Sequence, residues 1–181
     1  MRDKKFPRED TLLVADIGGN AGTSAAELNQ MRGVQAFVID PMPFLPPEEW
    51  GLSRQRFFVR KIEETGLPDS SFHFMLSHNT MQYTDVGKAF PEIYRLLKPG
   101  GFALVEHESW YDPDILSKLE RLPMKDKITV FFGGQPAIGK LSTIPLPEFI
   151  ERVKSVRQEQ GEKAEKGFMG LFPCFGIDKI P

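Results

Sequence analysis

The stretch from Thr11 to Asp40 limits the possible folds more than any other. An apolar run, Thr11 to Ala15, leads into Asp16 and a turn, Gly18-Gly19-Asn20-Ala21-Gly22, with three glycines in five positions. Good helix formers follow from Thr23 to Met31, where Thr23 or Ser24 can cap the start and Gly33 can end it. A second apolar run, Val34 to Ile39, closes on Asp40 and Pro41. Short continuous apolar runs suit strands covered on both faces. Strand, helix and strand within about 30 residues form a βαβ unit, whose crossover is right-handed in nearly all cases. The glycines permit backbone angles and close approaches that a Cβ would obstruct.

The alternation continues. Arg56–Arg60 reads as a third strand and Phe72–Ser77 as a fourth. Asp85–Leu97 reads as a helix, because Val86, Ala89, Phe90, Ile93, Leu96 and Leu97 recur at offsets of three and four. Lys98-Pro99-Gly100-Gly101 stops it, and Phe102–Val105 is a fifth strand. A further helix opens at Asp112 or Pro113 and runs to about Leu122. Beyond it, Ile128–Phe132 reads as a strand and Gly133–Pro147 as a loop. Leu146–Gln160 reads as an amphipathic helix with Phe149, Val153 and Val156 on one face, and Gly167–Ile180 as a closing hairpin. This order predicts an α/β sandwich around a mostly parallel sheet. Such sheets bind ligands beyond the carboxyl ends of their strands, where the strand order reverses.

Composition narrows the class. At 181 residues, 40% hydrophobic and 27% charged, the chain fits one domain over 1–181 with its own core. A net charge of -2 gives no chain-wide electrostatic hold on nucleic acid. One cysteine, Cys174, forms no intrachain disulfide and no Cys-based zinc cage, and His73, His78 and His107 lack HxxxH spacing, so no metal site is expected. Residues 1–15 are charged and no apolar run approaches a membrane span, which predicts a cytoplasmic protein with no membrane partner.

Two carboxylates carry the chemical signal. Asp16 and Asp40 end predicted neighbouring strands. Asp40 is placed to accept from both hydroxyls of a ribose, and Asp16 to hold a cationic amine. A nucleoside ligand fits that spacing. The dinucleotide fingerprint GxGxxG is incomplete and no GxxxxGK[ST] phosphate loop is present.

Together these motifs resemble the class I S-adenosylmethionine-dependent methyltransferase family. Asp16-Ile17-Gly18-Gly19-Asn20-Ala21-Gly22 is similar to its [D/E]xGxGxG motif, with Asn20 where the middle glycine is usual. Asp40 matches the family's acidic residue after the second strand, and Leu97-Lys98-Pro99-Gly100-Gly101 its LKPGG turn. The resemblance covers roughly residues 11–108. It implies a Rossmann-like three-layer sandwich, with a mostly parallel seven-stranded sheet ending in a C-terminal antiparallel hairpin. It implies S-adenosyl-L-methionine as cofactor. The backbone of Gly18, Gly19, Asn20 and Gly22 would approach its methionine part and ribose, Asp16 its amine and Asp40 its ribose hydroxyls. Pro41 and Met42 would lie beside the adenine, with Ile62 and Glu63 on its other side. Ser77, His78 and Asn79 would line the methionine and the acceptor pocket. Two departures stand out. Lys61 falls near a place that is often acidic, and Ser71-Phe72-His73 replaces SFD, which marks His73 as a structural substitution.

Methyl transfer needs alignment more than a fixed triad, so no catalytic residue is singled out. His78, Tyr83, His107 and Glu108 fall near the same strand ends as candidate bases. An NPPY-type motif for methylating base amino groups is absent. A small-molecule acceptor is expected, with the lid supplied by Pro41–Ser53, by Gly133–Pro147, or by a homodimer or partner subunit. The alternative is a non-catalytic methyltransferase-like scaffold or regulatory subunit; a nicotinamide-dependent enzyme ranks third.

Overall fold

A computed structural model describes residues 11–42, 52–106, 110, 112–132, 142–160 and 173–179. In chain order the elements are β1 (Leu12–Ile17), α1 (Thr23–Leu28), β2 (Val34–Ile39), β3 (Phe57–Phe58), β4 (Phe72–Ser77), α2 (Val86–Leu96) and β5 (Leu97–Glu106). They continue with α3 (Pro113–Glu120), β6 (Ile128–Phe132), β7 (Ser142–Pro145), α4 (Leu146–Gln160) and β8 (Pro173–Asp178). One eight-stranded sheet runs in the order β3-β2-β1-β4-β5-β8-β6-β7. Strands β1 to β5 pair in parallel, β8 is antiparallel to both β5 and β6, and β7 is antiparallel to β6.

Alternation along each strand divides the core into two layers. On one face Ala15, Ile17, Met75, Ala103, Val105 and Phe175 meet Phe90 and Ile93 of α2, Leu116 and Leu119 of α3, and Phe149 and Val153 of α4. On the other face Val14, Ala36 and Val38 meet Ala25 of α1 and Leu52. Helix α2 starts where Asp85 Oδ1 accepts from the Gly87 N–H at 3.2 Å, and α3 where Asp112 Oδ1 accepts from the Asp114 N–H at 2.8 Å. Among the described residues no helix is long and apolar enough to cross a membrane.

The Rossmann-like sandwich is as expected, with differences of detail; strand β5 begins at Leu97, so Lys98-Pro99-Gly100-Gly101 lies inside it rather than before it. There are eight strands rather than seven, because Ser142–Pro145, inside the expected loop, pairs with β6 as an edge strand. The expected closing hairpin is represented by the single strand β8, which enters between β5 and β6; residues 161–172 lie outside the described residues. Strand β3 is two residues long, because the chain folds back where the Arg60 N–H donates to the Phe58 carbonyl at 2.9 Å. Helix α1 stops at Leu28 rather than Met31. Asn29 ends it: its Nδ2 donates to Ala25 O at 2.7 Å and Ala36 O at 2.9 Å, and its Oδ1 accepts from the Ala36 N–H at 3.1 Å. That side chain ties the end of α1 to β2. At the other end of α1 neither Thr23 nor Ser24 caps the helix; Gly22, at φ 83°, occupies the cap position.

Candidate functional site

The parallel register sets Ile39, Ile17, Ser77 and Val105 in one row across four strands. Immediately beyond that row the chain leaves the sheet at Gly18, Asp40 and His78, while Glu106 is the last residue of β5. The strand order reverses between β1 and β4, which is where a ligand crevice opens in such sheets.

The glycine turn is shaped by its neighbours. Gly18 has φ +71°, and a Cβ there would sit 2.1 Å from Thr80 Oγ1. A Cβ on Gly19 would sit 2.5 Å from Asp16 Oδ2. Asn20 adopts φ 49°. Asparagine is among the few side chains that tolerate this left-handed conformation, which accounts physically for its place in a glycine motif.

Asp40 is 8% exposed and holds the turn to β2. Its Oδ2 accepts from the Asn20 N–H at 2.9 Å and its Oδ1 from the Met42 N–H at 2.7 Å. A carboxylate has about four lone-pair sites, so each oxygen retains capacity for a second donor. Asp16 is only 5% exposed, and among the described residues nothing donates a hydrogen bond to its carboxylate. Burial, and secondarily the charge of Asp40, push its pKa up to about 6, with His78 pulling the other way. Ser77, level with Ile17 on the neighbouring strand β4, has a buried Oγ with no partner among the described residues.

A cleft of about 110 Å3 lies against these strand ends, lined by Ile17, Gly18, Ile39, Pro41, Lys61, Ile62, Glu63, Thr80, Tyr83 and Thr84. The structure thus brings Gly18, Pro41, Ile62 and Glu63 into one cleft, with Asp16, Gly19, Asn20, Gly22 and Asp40 forming the turn region beside it. Ser77, His78 and Asn79 follow at the end of β4. Met42 does not line the cleft; its side chain is exposed, and its backbone serves Asp40. The Glu63 carboxylate accepts from the Asp85 N–H at 3.1 Å, so it also anchors the start of α2. Of the candidate bases, Tyr83 is exposed on the rim, and His107 and Glu108 lie outside the described residues. His73 is remote from the cleft residues: its Nδ1 accepts from the Leu13 N–H at 2.9 Å, a structural bond between β1 and β4.

Sequence reasoning missed Thr80, Thr84 and Glu106. Thr80 could have been found as the residue that Gly18 makes room for. Glu106 had no local signal, since its contact is with His78 on another strand: His78 Nδ1 lies against Glu106 Oε2, without hydrogen-bond alignment.

Comparison with known proteins follows the same lines. The chain is 26% identical over 166 residues to a ubiquinone/menaquinone biosynthesis C-methyltransferase of Marinomonas sp. (strain MWYL1), covering 86% of this chain. It is 30% identical over 89 residues, 49% of its length, to an uncharacterized methyltransferase of Mycobacterium bovis, and spans 36% of that protein. The chain spans 63% of the Marinomonas protein's length. Among solved structures it resembles phosphoethanolamine N-methyltransferase 2 of Haemonchus contortus in complex with S-adenosyl-L-methionine. That likeness has a TM-score of 0.60 at 20% identity, over 97% of this chain and 50% of that one. It also resembles the YcgJ protein of Bacillus subtilis, with a TM-score of 0.54 at 18% identity, over 93% and 90% of the two chains. The family defined by the methyltransferase domain matches residues 15–105, half of the chain, from within β1 to within β5, and the chain belongs to that family.

Proposed function

We infer that the chain binds S-adenosylmethionine and transfers its methyl group to a small-molecule acceptor. The observation that carries this reading is the Asp16 carboxylate, buried, without a hydrogen-bond donor among the described residues, and raised to about 6. A buried carboxylate in that state lacks compensating charge, and a ligand ammonium supplies it. The donor set fits the rest of such a ligand. Asp40 keeps acceptor capacity for two ribose hydroxyls, and Ile39 and Ile62 give the cleft apolar walls for a flat ring.

In this reading Gly18, Gly19, Asn20 and Gly22 approach the methionine part and ribose. Pro41 flanks the adenine on one side, with Ile62 and Glu63 on the other, and Met42 contributes through the backbone N–H that it donates to Asp40. Ser77, His78 and Asn79 line the methionine end and the acceptor. Bound S-adenosylmethionine supplies an electrophilic methyl group on a positively charged sulfur. The protein's own contribution is to fix the direction of approach and to exclude water around it. Matched relatives named for ubiquinone, menaquinone and phosphoethanolamine support a small acceptor.

Isothermal titration with S-adenosylmethionine and S-adenosylhomocysteine tests the reading, beside an Asp40→Ala variant. Saturable binding that Asp40→Ala weakens is expected. No binding by well-folded wild-type protein overturns it. Binding with no methyl transfer across an acceptor panel favours the regulatory alternative, for which the replacement of an acidic residue by Lys61 at the cleft is the supporting observation.

A further inference from the structure

The geometry points to a second functional pair at this site: His78 as the base that takes the acceptor's proton, and Glu106 as the positioning residue that holds its ring. The assignment rests on the methyltransferase reading above and goes beyond it, because methyl transfer as such does not require a base.

The pair arises from register. Ser77 of β4 is level with Val105 of β5, so His78 and Glu106 are the next residues on two adjacent parallel strands, at their carboxyl ends. The Glu106 side chain is mostly buried, at 15% exposure, whereas the His78 side chain is 73% exposed. His78 Nδ1 lies against Glu106 Oε2 but out of line for a hydrogen bond, so the assignment includes a small rotation of the exposed ring that brings Nδ1–H onto the otherwise unpartnered Oε2. A largely buried carboxylate facing a ring nitrogen favours a proton on that nitrogen. The other nitrogen, Nε2, then carries the free lone pair. It faces the Asn79 side-chain amide at 3.1 Å, a neutral donor that an acceptor's own O–H or N–H can displace. Asn79 follows at φ 53°, so the backbone turns sharply away after the ring. Exposure leaves Nε2 reachable from outside, and its neighbourhood includes the Asp16 carboxylate, on which His78 acts electrostatically. Asp40 also acts on Asp16 there.

The step balances without a further reactant. An acceptor O–H gives its proton to His78 Nε2 as the oxygen's electron pair forms the bond to the methyl carbon; a neutral amine attacks with its own lone pair, and the ammonium so formed gives its proton to Nε2. The pair of the broken carbon–sulfur bond stays on sulfur, which becomes neutral. The imidazolium then returns its proton to solvent, while Glu106 keeps the ring oriented with Nδ1–H inward throughout. The substrate class this implies is a nucleophile that arrives protonated, a hydroxyl or an ammonium-free amine, rather than a preformed thiolate.

The test uses the full chain with Glu106→Gln, Glu106→Asp and His78→Gln. Long-range 15N–1H spectra of the protein saturated with S-adenosylhomocysteine read the tautomer of His78. The expected result is a proton on Nδ1 in wild type and a mixture of tautomers in Glu106→Gln. Turnover is then read as S-adenosylhomocysteine release with catechol, hydroquinone and aniline as probes. His78→Gln is expected to lower kcat by about 100-fold or more with little change in acceptor KM. Glu106→Gln is expected to lose about tenfold or more in kcat, and Glu106→Asp, which keeps the charge, to retain more of it. A proton fixed on Nε2 in wild type, or equal kcat in wild type and His78→Gln, overturns the assignment. So does the absence of turnover of all three probes by protein that binds S-adenosylhomocysteine. Failure of wild type to bind S-adenosylhomocysteine falls instead on the methyltransferase reading.

Discussion

The backbone N–H of Asn20 donates to Asp40 Oδ2 across 2.9 Å, so the residue that ends β2 also fixes the turn that leaves β1. One carboxylate therefore has two tasks. It closes the glycine turn, and it presents its remaining lone pairs at the mouth of the crevice. Hydrogen bonds to charged groups contribute about 1.5–3 kcal/mol, and losing this acceptor removes the partner of the Asn20 and Met42 N–H groups. Asp40→Ala is expected to lower the unfolding free energy by about 1–3 kcal/mol and to weaken S-adenosylhomocysteine binding by about tenfold or more. Denaturant unfolding and titration calorimetry on the same preparation measure both.

Asp16 gives a pH dependence of definite sign. Its carboxyl is raised from 3.8 to about 6 in the folded chain, mainly by burial. Between those values the native state binds more protons than the unfolded one, so the Asp16 contribution to stability falls as pH rises from about 4 to about 6 and is flat above. Asp16→Asn removes that penalty. It is expected to be more stable than wild type by about 1–3 kcal/mol at pH 8, with the gain vanishing below pH 4. Thermal or denaturant melts at the two pH values check it. A ligand ammonium requires the ionised carboxylate, so S-adenosylhomocysteine binding to wild type should weaken by about tenfold from pH 7.5 to pH 5. Asp16→Asn should lack that dependence.

Gly18 cannot be replaced cheaply. Its φ of +71° and the 2.1 Å approach of a Cβ to Thr80 Oγ1 combine backbone strain with a collision. Gly18→Ala is expected to cost about 2 kcal/mol or more. Adding Thr80→Ala should restore only part of this, because Thr80 Cβ itself lies 2.7 Å from the new atom. Urea unfolding of the single and double variants distinguishes the two contributions.

His73 is expected to act on stability alone. Its Nδ1 accepts from the Leu13 N–H, and burial, then Lys98, lower its pKa below 6.5. The folded state thus resists protonation, and the contribution of this bond is lost as pH falls below 6.5 through that lowered value. His73→Ala should cost about 1 kcal/mol at pH 8 and less at pH 5, with S-adenosylhomocysteine affinity unchanged at pH 8. Paired melts and titrations read the difference.

What was legible in the sequence was local. The run from Val34 to Ile39, the glycine turn and the spacing of Val86, Ala89, Phe90 and Ile93 each announce their element, because strand and helix periods are written in neighbouring residues. Strand β7 was not legible. It is four residues long, ends in a proline and pairs on one side only, so tertiary pairing rather than pattern creates it. The early end of α1 depends on where Asn29 finds the Ala36 backbone, a contact that forms only once β2 is in place. In the site, the turn and its two aspartates stood out because spacing sets them. Glu106 did not, because 28 residues separate it from His78 and only the β4–β5 register brings them together.

The place of β8 makes assembly of this sheet depend on the order of synthesis. Strands β6 and β7 leave the ribosome well before residues 173–178, yet they reach β5 only through the strand those residues form. Without β8 the parallel half has an open edge at β5, and β6 and β7 form a two-stranded ribbon that meets the rest through α4. A short ribbon of that kind is marginal alone in water. A chain cut at residue 172 would keep every residue proposed here to bind the cofactor and still expose the edges that aggregate. The six residues of β8 thus cover two edges at once while burying Phe175 and Ile177 in the core.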